Sequence, residues 1–211
     1  MAEHYDGLAN TLNEKENFCP AEYKLSPLPI NSVQGKNYWA EMEFCLQFAK
    51  NNRQLMSDRI REIFFKNLGI NEVSSEIEIH HNFAALENHL GHDVVIHRKG
   101  ATRAFEGMTG IIPGSQGTAS YIVEGLGNPE SFKSCSHGAG RVLSRTAAVR
   151  TLNLEEEIKK LDDQGIVHAI RNKGDLEEAS SAYKNIDEVM EQQKDLVRIV
   201  YRLSPLAVIK G

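Results

Sequence analysis

The apolar residues between positions 37 and 68 recur mostly at the spacing of one helix face. They are Tyr38, Met42, Cys45, Ala49, Met56, Ile60 and Ile63. A polar stretch at 51–53 interrupts them, so the pattern predicts either one long helix or a pair of helices ending near Gly69. We interpret this element as scaffold.

The first 36 residues show no sustained apolar period. They contain Ser26-Pro27-Leu28-Pro29, a composition typical of irregular backbone. We therefore expect residues 1–31 to form a loosely ordered lead-in and the folded domain to cover residues 32–211.

Beyond Gly69 the pattern changes to the alternation of strands. The stretch 77–83 alternates and then brings His80, His81 and Asn82 to the predicted strand end. Because adjacent side chains on a strand point to opposite faces, we expect at most one of the two histidines to serve as a ligand.

A second short strand, 94–96, leads into Arg98, Lys99 and Gly100. Two cations at a strand end form either an ordinary solvated end or a contact to phosphate. The pattern of this stretch leaves both interpretations open.

Glycine is concentrated in the next segment, where nine of the 16 glycines fall between Gly100 and Gly140. The stretch 111–117 reads Ile-Ile-Pro-Gly-Ser-Gln-Gly and precedes a predicted strand at 120–123. It fits either a hairpin turn or an anion cradle of backbone amides with Ser115. It matches neither a Walker loop nor a dinucleotide-binding fingerprint.

The stretch 134–141, Ser-Cys-Ser-His-Gly-Ala-Gly-Arg, places His137 directly before two glycines. Residues 142–150 read as the start of a helix. Glycines let backbone N–H groups face an anion, and a following helix N-terminus adds its dipole, so this layout suits phosphate chemistry. Most histidines beside turns are structural, so the loop alone is weak evidence.

The remaining elements are short and mixed. Further helices are expected at 153–163, with Asn153 as N-cap, and at 186–194; strands are expected at 166–170, 196–203 and 206–211. Without regular alternation of strand and helix, the pattern indicates an α+β fold, a mixed sheet with surrounding helices and the site on its loops.

Composition narrows the class of protein. A chain of 211 residues with 41% hydrophobic and 25% charged residues is typical of a soluble globular domain. A net charge of −5 argues against a non-specific nucleic-acid coat, although a local basic site stays possible. The three cysteines, Cys19, Cys45 and Cys135, lack zinc spacing and indicate reduced thiols. No apolar run reaches membrane-spanning length, and we expect a cytoplasmic protein with no membrane partner.

Three segments together resemble the RtcB family of RNA ligases, also called tRNA-splicing or 3′-phosphate/5′-hydroxy nucleic acid ligases. The resemblance covers residues 32–211 and corresponds to the C-terminal half of the family domain. It implies an RtcB-like α+β fold that is incomplete relative to the full domain. The segments that carry it are 80–82, 98–101 with 113–117, and 136–145, supported by 49–53 and 208–211.

The resemblance implies a ligation that depends on GTP and Mn²⁺. It joins an RNA 2′,3′-cyclic phosphate or 3′-phosphate end to a 5′-hydroxyl end, in tRNA splicing or RNA repair. His137 would attack the α-phosphorus of GTP, release pyrophosphate and carry GMP to the RNA 3′-phosphate, from which the 5′-hydroxyl displaces it. A neutral imidazole is a competent nucleophile near pH 7.

The resemblance also assigns further residues. His81 would ligate manganese, Asn82 would lie at the nucleotide, Lys210 would read guanine, and Tyr183 would pack near the base. Arg98 and Lys99 would meet phosphate of GTP or RNA. The other residues of the GTP site would be Pro113, Gly114, Ser115, Gln116, Ser120, Gly138, Ala139 and Gly140.

The sequence departs from the family at two points. Gln116 stands where the family usually has methionine, which leaves a backbone contact intact. The other metal ligands of the family, an aspartate, a cysteine and two histidines, belong to an N-terminal half that this chain lacks, and His4, Cys19 and Cys45 lie in no matching motif. Three interpretations follow: an RtcB-type ligase present as a fragment, a split product or one half of a two-chain active site; a catalytically impaired GTP- and RNA-binding module that lacks the metal centre; or a decayed remnant. The resemblance also implies two partners, a separate N-terminal half and an archease-like activator.

Overall fold

The computed structural model describes residues 2–69 and 72–209. The chain divides into two compact units, Met1–Ser74 and Ser75–Gly211. The sequence placed a division between residues 31 and 32, whereas the compact units separate after the long helix. Each unit is described by itself.

The first unit contains a helix where the sequence predicted none. Helix α1 covers Ala2–Glu16, and a short 3-10 helix follows at Ala21–Tyr23. Among positions 3–16 of α1 the buried residues are Tyr5 and Ala9, and the Tyr5 ring lies edge-on to Tyr38 at 5.2 Å between centroids. Because so few positions of this polar helix are buried, it leaves no sustained apolar period in the sequence.

Helix α2 covers Val33–Leu68 as one continuous element of 36 residues. The Ser32 side chain caps it by accepting a hydrogen bond from the Gly35 N–H at 2.9 Å. Gly69 ends it in the left-handed conformation, with φ at 66°. The long helix and its glycine end are confirmed, and the polar stretch 51–53 lies within it. In the described part of the chain, no helix has the length and apolar character needed to cross a bilayer.

The second unit begins with an antiparallel hairpin of β1 (Asn82–His89) and β2 (His92–Lys99). Leu90 and Gly91 form its turn with φ values of 52° and 82°, as in a two-residue turn of type I′. The strand predicted at 77–83 is wrong for 77–81: the ladder begins at Asn82, which pairs with Lys99. The two histidines therefore precede the strand.

The other strands form small sheets. Strands β3 (Ala101–Arg103) and β6 (Ser134–Ser136) pair antiparallel, and β4 (Thr109–Ile112), β5 (Ser120–Gly125) and β8 (Val197–Leu203) form an antiparallel sheet in that order. Strands β7 (Val167–His168) and β9 (Ala207–Val208) pair in parallel. Within the described residues, nine strands in four sheets combine with helices, which confirms the α+β class.

The helices of the second unit are short. They are α3 (Arg145–Thr151), α4 (Leu154–Asp162) and α5 (Ile186–Glu191), with 3-10 turns at Pro129–Ser131, Lys173–Glu178 and Ser180–Ala182. The Asn153 cap is confirmed by hydrogen bonds from the N–H groups of Glu155 and Glu156. Ser144 caps helix α3, which therefore begins at Arg145. The predicted helix start directly after the glycine loop, at 142, is wrong, and the glycines after His137 do not adjoin a helix N-terminus.

The main core of the second unit lies directly behind the predicted site loops. Cys135 and Ala139, which flank His137, are 4% and 3% exposed, so the histidine is attached to the core on both sides. The buried members of this core are Ala104, Ile112, Ala119, Tyr121, Val123, Cys135, Ala139, Ile186, Met190 and Val197.

Candidate active site

The structure brings His81 and His137 together. Their ring centroids are 5.6 Å apart, and the ring planes are inclined by 65°. His81 is exposed, whereas His137 is half-buried. The two residues are 56 positions apart in the sequence, so their meeting follows from strand pairing rather than from a local motif.

One short segment, residues 99–102, supports both histidines. Lys99 pairs with Asn82, and the Thr102 hydroxyl donates to the His80 carbonyl at 2.9 Å, which fixes the backbone on each side of His81. On its other edge, the Gly100 carbonyl accepts from the His137 N–H at 3.3 Å. Gly100 has φ at 78°, a conformation that favours glycine and lets the chain turn from β2 into β3.

The glycine loop after His137 packs against the 113–119 loop. The Ala139 N–H donates to the Pro113 carbonyl at 3.0 Å. A Cβ on Gly138 would lie 3.2 Å from that same oxygen, which is tighter than ordinary contact. The Ser136 hydroxyl accepts from the Gly138 N–H at 3.2 Å and donates to the Gly138 carbonyl. The structure thus joins the two glycine-rich segments that the sequence singled out separately.

The 113–119 loop is closed largely by its own side chains. The Thr118 hydroxyl accepts from the Ser115 N–H at 2.7 Å, and the two hydroxyl groups lie 2.8 Å apart. The Gly117 N–H donates to Ser180 Oγ at 2.9 Å. The loop is the turn of the β4–β5 hairpin. Because the N–H groups of Ser115 and Gly117 are used within the fold, any nucleotide contact of this loop has to use its other groups.

The electrostatics of His137 favour the neutral imidazole. Burial lowers the pKa of His137, and the neighbouring His81 lowers it further. Its Nδ1 atom is buried and has no hydrogen-bond partner among the residues that the structure describes. A neutral ring retains a nitrogen lone pair at pH 7, as nucleophilic attack requires.

Arg98 corrects the sequence prediction of a phosphate contact. Its side chain is 1% exposed, and its Nη1 and Nη2 donate to the two carboxylate oxygens of Glu87 at 2.7 and 2.8 Å. The guanidinium is buried and hydrogen-bonded inside the fold, so it is not available for a phosphate contact. Lys99, the second cation of the motif, is exposed at the end of β2.

Two residues that the sequence did not mark also support the site. Glu87 holds Arg98, and Gln193 accepts a hydrogen bond from the Ser136 N–H through its side-chain oxygen at 3.0 Å. Gln193 is 5% exposed. No motif surrounds either residue, since their partners lie 11 and 57 positions away.

Tyr183 lies beside the glycine loop but is engaged by other side chains. Its hydroxyl donates to Glu178, and Arg141 donates to it at 3.0 Å while its guanidinium lies 4.9 Å from the centre of the ring. Next to it, the Lys184 N–H donates to the Gly140 carbonyl at 2.9 Å. Asn82 and Ser120 begin β1 and β5, while Lys210 lies outside the described residues.

The residues present do not form a complete manganese site. In residues 2–69 and 72–209, no group of three or more His, Cys, Asp or Glu side chains is arranged to hold a metal ion. Manganese favours several nitrogen and oxygen ligands at once. His81 therefore stands as a single candidate ligand.

Comparison with known proteins settles the family. The family model described as tRNA-splicing ligase RtcB matches residues 1–211. The chain belongs to the RtcB family. The match also includes residues 1–31, which the sequence had assigned to a separate lead-in.

Two bacterial relatives and one archaeal relative illustrate the match to the RtcB family. The RNA-splicing ligase RtcB of Escherichia coli K12 is 46% identical over 136 residues, covering 64% of this chain and 33% of the relative. The RNA-splicing ligase RtcB of Mycobacterium tuberculosis is 37% identical over 209 residues, covering 89% of this chain and 48% of the relative. The tRNA-splicing ligase RtcB of Thermococcus kodakarensis is 35% identical over 237 residues, covering 100% of this chain and 49% of the relative. The chain therefore spans between a third and a half of the length of these RtcB proteins.

Proposed function

We propose that this chain supplies the nucleotide-accepting part of a GTP- and manganese-dependent RNA ligase. The ligase would join RNA 2′,3′-cyclic phosphate or 3′-phosphate ends to 5′-hydroxyl ends, in tRNA splicing or RNA repair. The names of the RtcB relatives support RNA as the substrate class. A cytoplasmic location and assistance by an archease-like activator stay predictions.

The observation that carries the proposal is the placement of His137. The pKa of its imidazole is lowered, and the ring centroids of His137 and His81 are 5.6 Å apart. His137 also directly precedes the glycine loop, which packs on the 113–119 loop. In the proposed reaction a ring nitrogen of His137 attacks the α-phosphorus of GTP, and pyrophosphate leaves. The GMP then moves to the RNA 3′-phosphate, and the 5′-hydroxyl displaces it as the phosphodiester bond forms.

The two packed loops would hold the guanine nucleotide. Their contact through Ala139 and Pro113 places both on the side of the core that carries His137. Lys210 would read guanine O6 as a donor. The remaining residues proposed for the nucleotide site are Asn82, Pro113, Gly114, Ser115, Gln116, Ser120, Gly138, Ala139 and Gly140.

The manganese site needs more ligands than the described residues supply. We propose that His81 contributes one ligand and that other parts of an RtcB domain contribute the rest. A bound metal would disperse the negative charge of the phosphates. The same shortage of ligands favours a second candidate function, a GTP- and RNA-binding module without catalysis.

The test is covalent labelling with GTP that carries a radioactive α-phosphate, in the presence of Mn²⁺. The chain is assayed alone and together with the N-terminal half of the E. coli K12 relative, produced as a separate polypeptide. We expect little label on the chain alone and label that survives denaturation when the second polypeptide is present. His137→Ala should abolish the label, while the matched control His92→Ala, at the exposed start of β2, should retain it.

The outcomes separate the two functions. Label on the chain in the presence of the second polypeptide, lost in His137→Ala, supports the ligase. GTP-dependent protection against proteolysis without covalent label supports the binding module. Label that persists in His137→Ala contradicts the assigned nucleophile.

A further inference from the structure

Arg98 is the most deeply buried cation of the second unit's hairpin and forms four hydrogen bonds. Two go to the carboxylate of Glu87. The Nε atom donates to Ser134 Oγ at 2.9 Å, and Nη2 also donates to the Phe132 carbonyl at 3.0 Å. The planar guanidinium fixes the relative directions of all these partners.

These partners lie on different strands. Glu87 belongs to β1, which begins directly after His81. Ser134 begins β6, which ends one residue before His137. Arg98 therefore cross-links the strand that follows one histidine to the strand that precedes the other.

Glu87 provides a firm anchor for this link. It also accepts from Arg103 Nε at 2.8 Å and contacts His89 Nε2 at 2.8 Å, and its side chain is 6% exposed. Although burial acts to raise the pKa of Glu87, the hydrogen bonds from Arg98, His89 and Arg103 outweigh it and lower the pKa to about 2. The carboxylate is thus fully charged at neutral pH.

Arg98 also contacts the turn that precedes β6. Phe132 and Lys133 have φ values of 52° and 49°, the left-handed region that residues other than glycine adopt at a cost. Ser134 Oγ donates to the Phe132 carbonyl at 3.1 Å, so Arg98, Ser134 and Phe132 form a closed set of hydrogen bonds around this turn. The turn leads directly into β6, which pairs with β3 and ends one residue before His137.

We propose that Arg98 is a positioning residue that sets the placement of His137 relative to His81 by bridging Glu87 and Ser134. The claim that Arg98 fixes the position of the two imidazoles does not depend on the proposed function. The expected effect of Arg98 on catalysis rests on the proposed function. Residues with no contact to a ligand then determine how the two imidazoles face each other.

The test removes the link to β6 while leaving the Glu87 pair in place. Ser134→Ala deletes the hydroxyl that Arg98 Nε reaches. The readout is the nuclear Overhauser effect between the ring protons of His81 and His137 in protein with labelled histidine. We expect this effect to lose most of its intensity in Ser134→Ala and to persist in Asn153→Ala, a control that loses a helix cap elsewhere in the unit.

A second variant guards against misfolding. Arg98→Lys keeps the charge beside Glu87 but cannot bridge the carboxylate, the hydroxyl and the carbonyl at once, and we expect the same loss of the His81–His137 effect. In the labelling assay with the second polypeptide, both variants should slow labelling of His137 by about tenfold or more at saturating GTP, with KM for GTP unchanged. An unchanged Overhauser effect in a folded variant overturns the proposal, whether or not the wild type is labelled. Absence of label in the wild type counts against the proposed function alone.

Discussion

The backbone N–H of His137 donates to the carbonyl of Gly100 across 3.3 Å. Residues on either side of Gly100 pair with the backbone around His81, through Asn82 and the His80 carbonyl. The relative position of the two imidazoles therefore depends on four consecutive residues, 99–102. Any change that shifts this segment should change both halves of the site together.

The contact between the two glycine-rich loops predicts the effect of Gly138→Ala. The added Cβ would lie 3.2 Å from the Pro113 carbonyl, so the loops must separate by a few tenths of an ångström. We expect slower covalent labelling of His137 with GTP, measured with the second polypeptide present. In the control Gly7→Ala the new Cβ meets nothing within 4 Å, so labelling should be unaffected. The alanine should stabilise helix α1 by about 0.5–1 kcal/mol. Normal labelling of Gly138→Ala would show that the loop contact is not needed.

The buried carboxylate of Glu87 predicts a pH dependence of stability. Its pKa is about 2 in the fold, below the ordinary 4.5, so its contribution is complete above pH 4.5 and is lost as the pH falls towards 2. Glu87→Gln removes this dependence and leaves Arg98 without its charged partner, which costs about 3–5 kcal/mol at pH 7.

Urea unfolding of both proteins between pH 7 and pH 2 measures this difference. We expect the gap in the free energy of unfolding between wild type and Glu87→Gln to be largest at pH 7 and to narrow below pH 4.5. A gap that stays constant down to pH 2 would mean that Glu87 is not held as a charged partner of Arg98.

The position of Cys135 predicts its reactivity. The side chain is 4% exposed, and burial raises the pKa of its thiol to about 11, although the nearby Arg98 acts in the opposite direction. Since the thiolate is the reactive form, iodoacetamide at pH 8 should modify the exposed Cys45 first and Cys135 only after unfolding. Mass spectrometry of the digested protein gives the order, and equal rates for the two cysteines would contradict the buried position of Cys135.

The cap of α4 predicts a loss of stability without a loss of site geometry. Asn153 accepts hydrogen bonds from two N–H groups at the start of the helix, so Asn153→Ala should cost about 1 kcal/mol. Asn153→Asp retains an acceptor and should restore most of this loss. Urea midpoints of the three proteins test the order, which would be refuted by equal stability of wild type and Asn153→Ala.

The sequence predicted those elements whose signals are local. Helix α2 has a sustained apolar period and a terminal glycine, and the Asn153 cap lies next to the helix that it begins. Helix α1 was not predicted, because the buried residues among its positions 3–16, Tyr5 and Ala9, are too few to form an apolar period. The strand at 77–83 was misplaced because alternation shows which residues can form a strand, whereas the pairing of Asn82 with Lys99 decides where it begins.

The candidate site shows the same limit. His137 and its glycines stand out in the sequence because one motif contains them all. The role of Arg98 was misjudged because a cation at a strand end carries no sign of the buried carboxylate of Glu87, 11 residues earlier. Gln193, which holds Ser136, could be recognised only after the fold had brought the turn that follows α5 next to β6.

The central claim is that His137 carries the guanylate. The most direct measurement is tandem mass spectrometry of the chain after incubation with GTP, Mn²⁺ and the second polypeptide, under alkaline conditions that preserve a phosphorus–nitrogen bond. We predict a GMP adduct on the peptide that contains His137, with fragment ions that assign it to this residue. A GMP adduct on another residue of this chain, with His137 unmodified, would contradict the account.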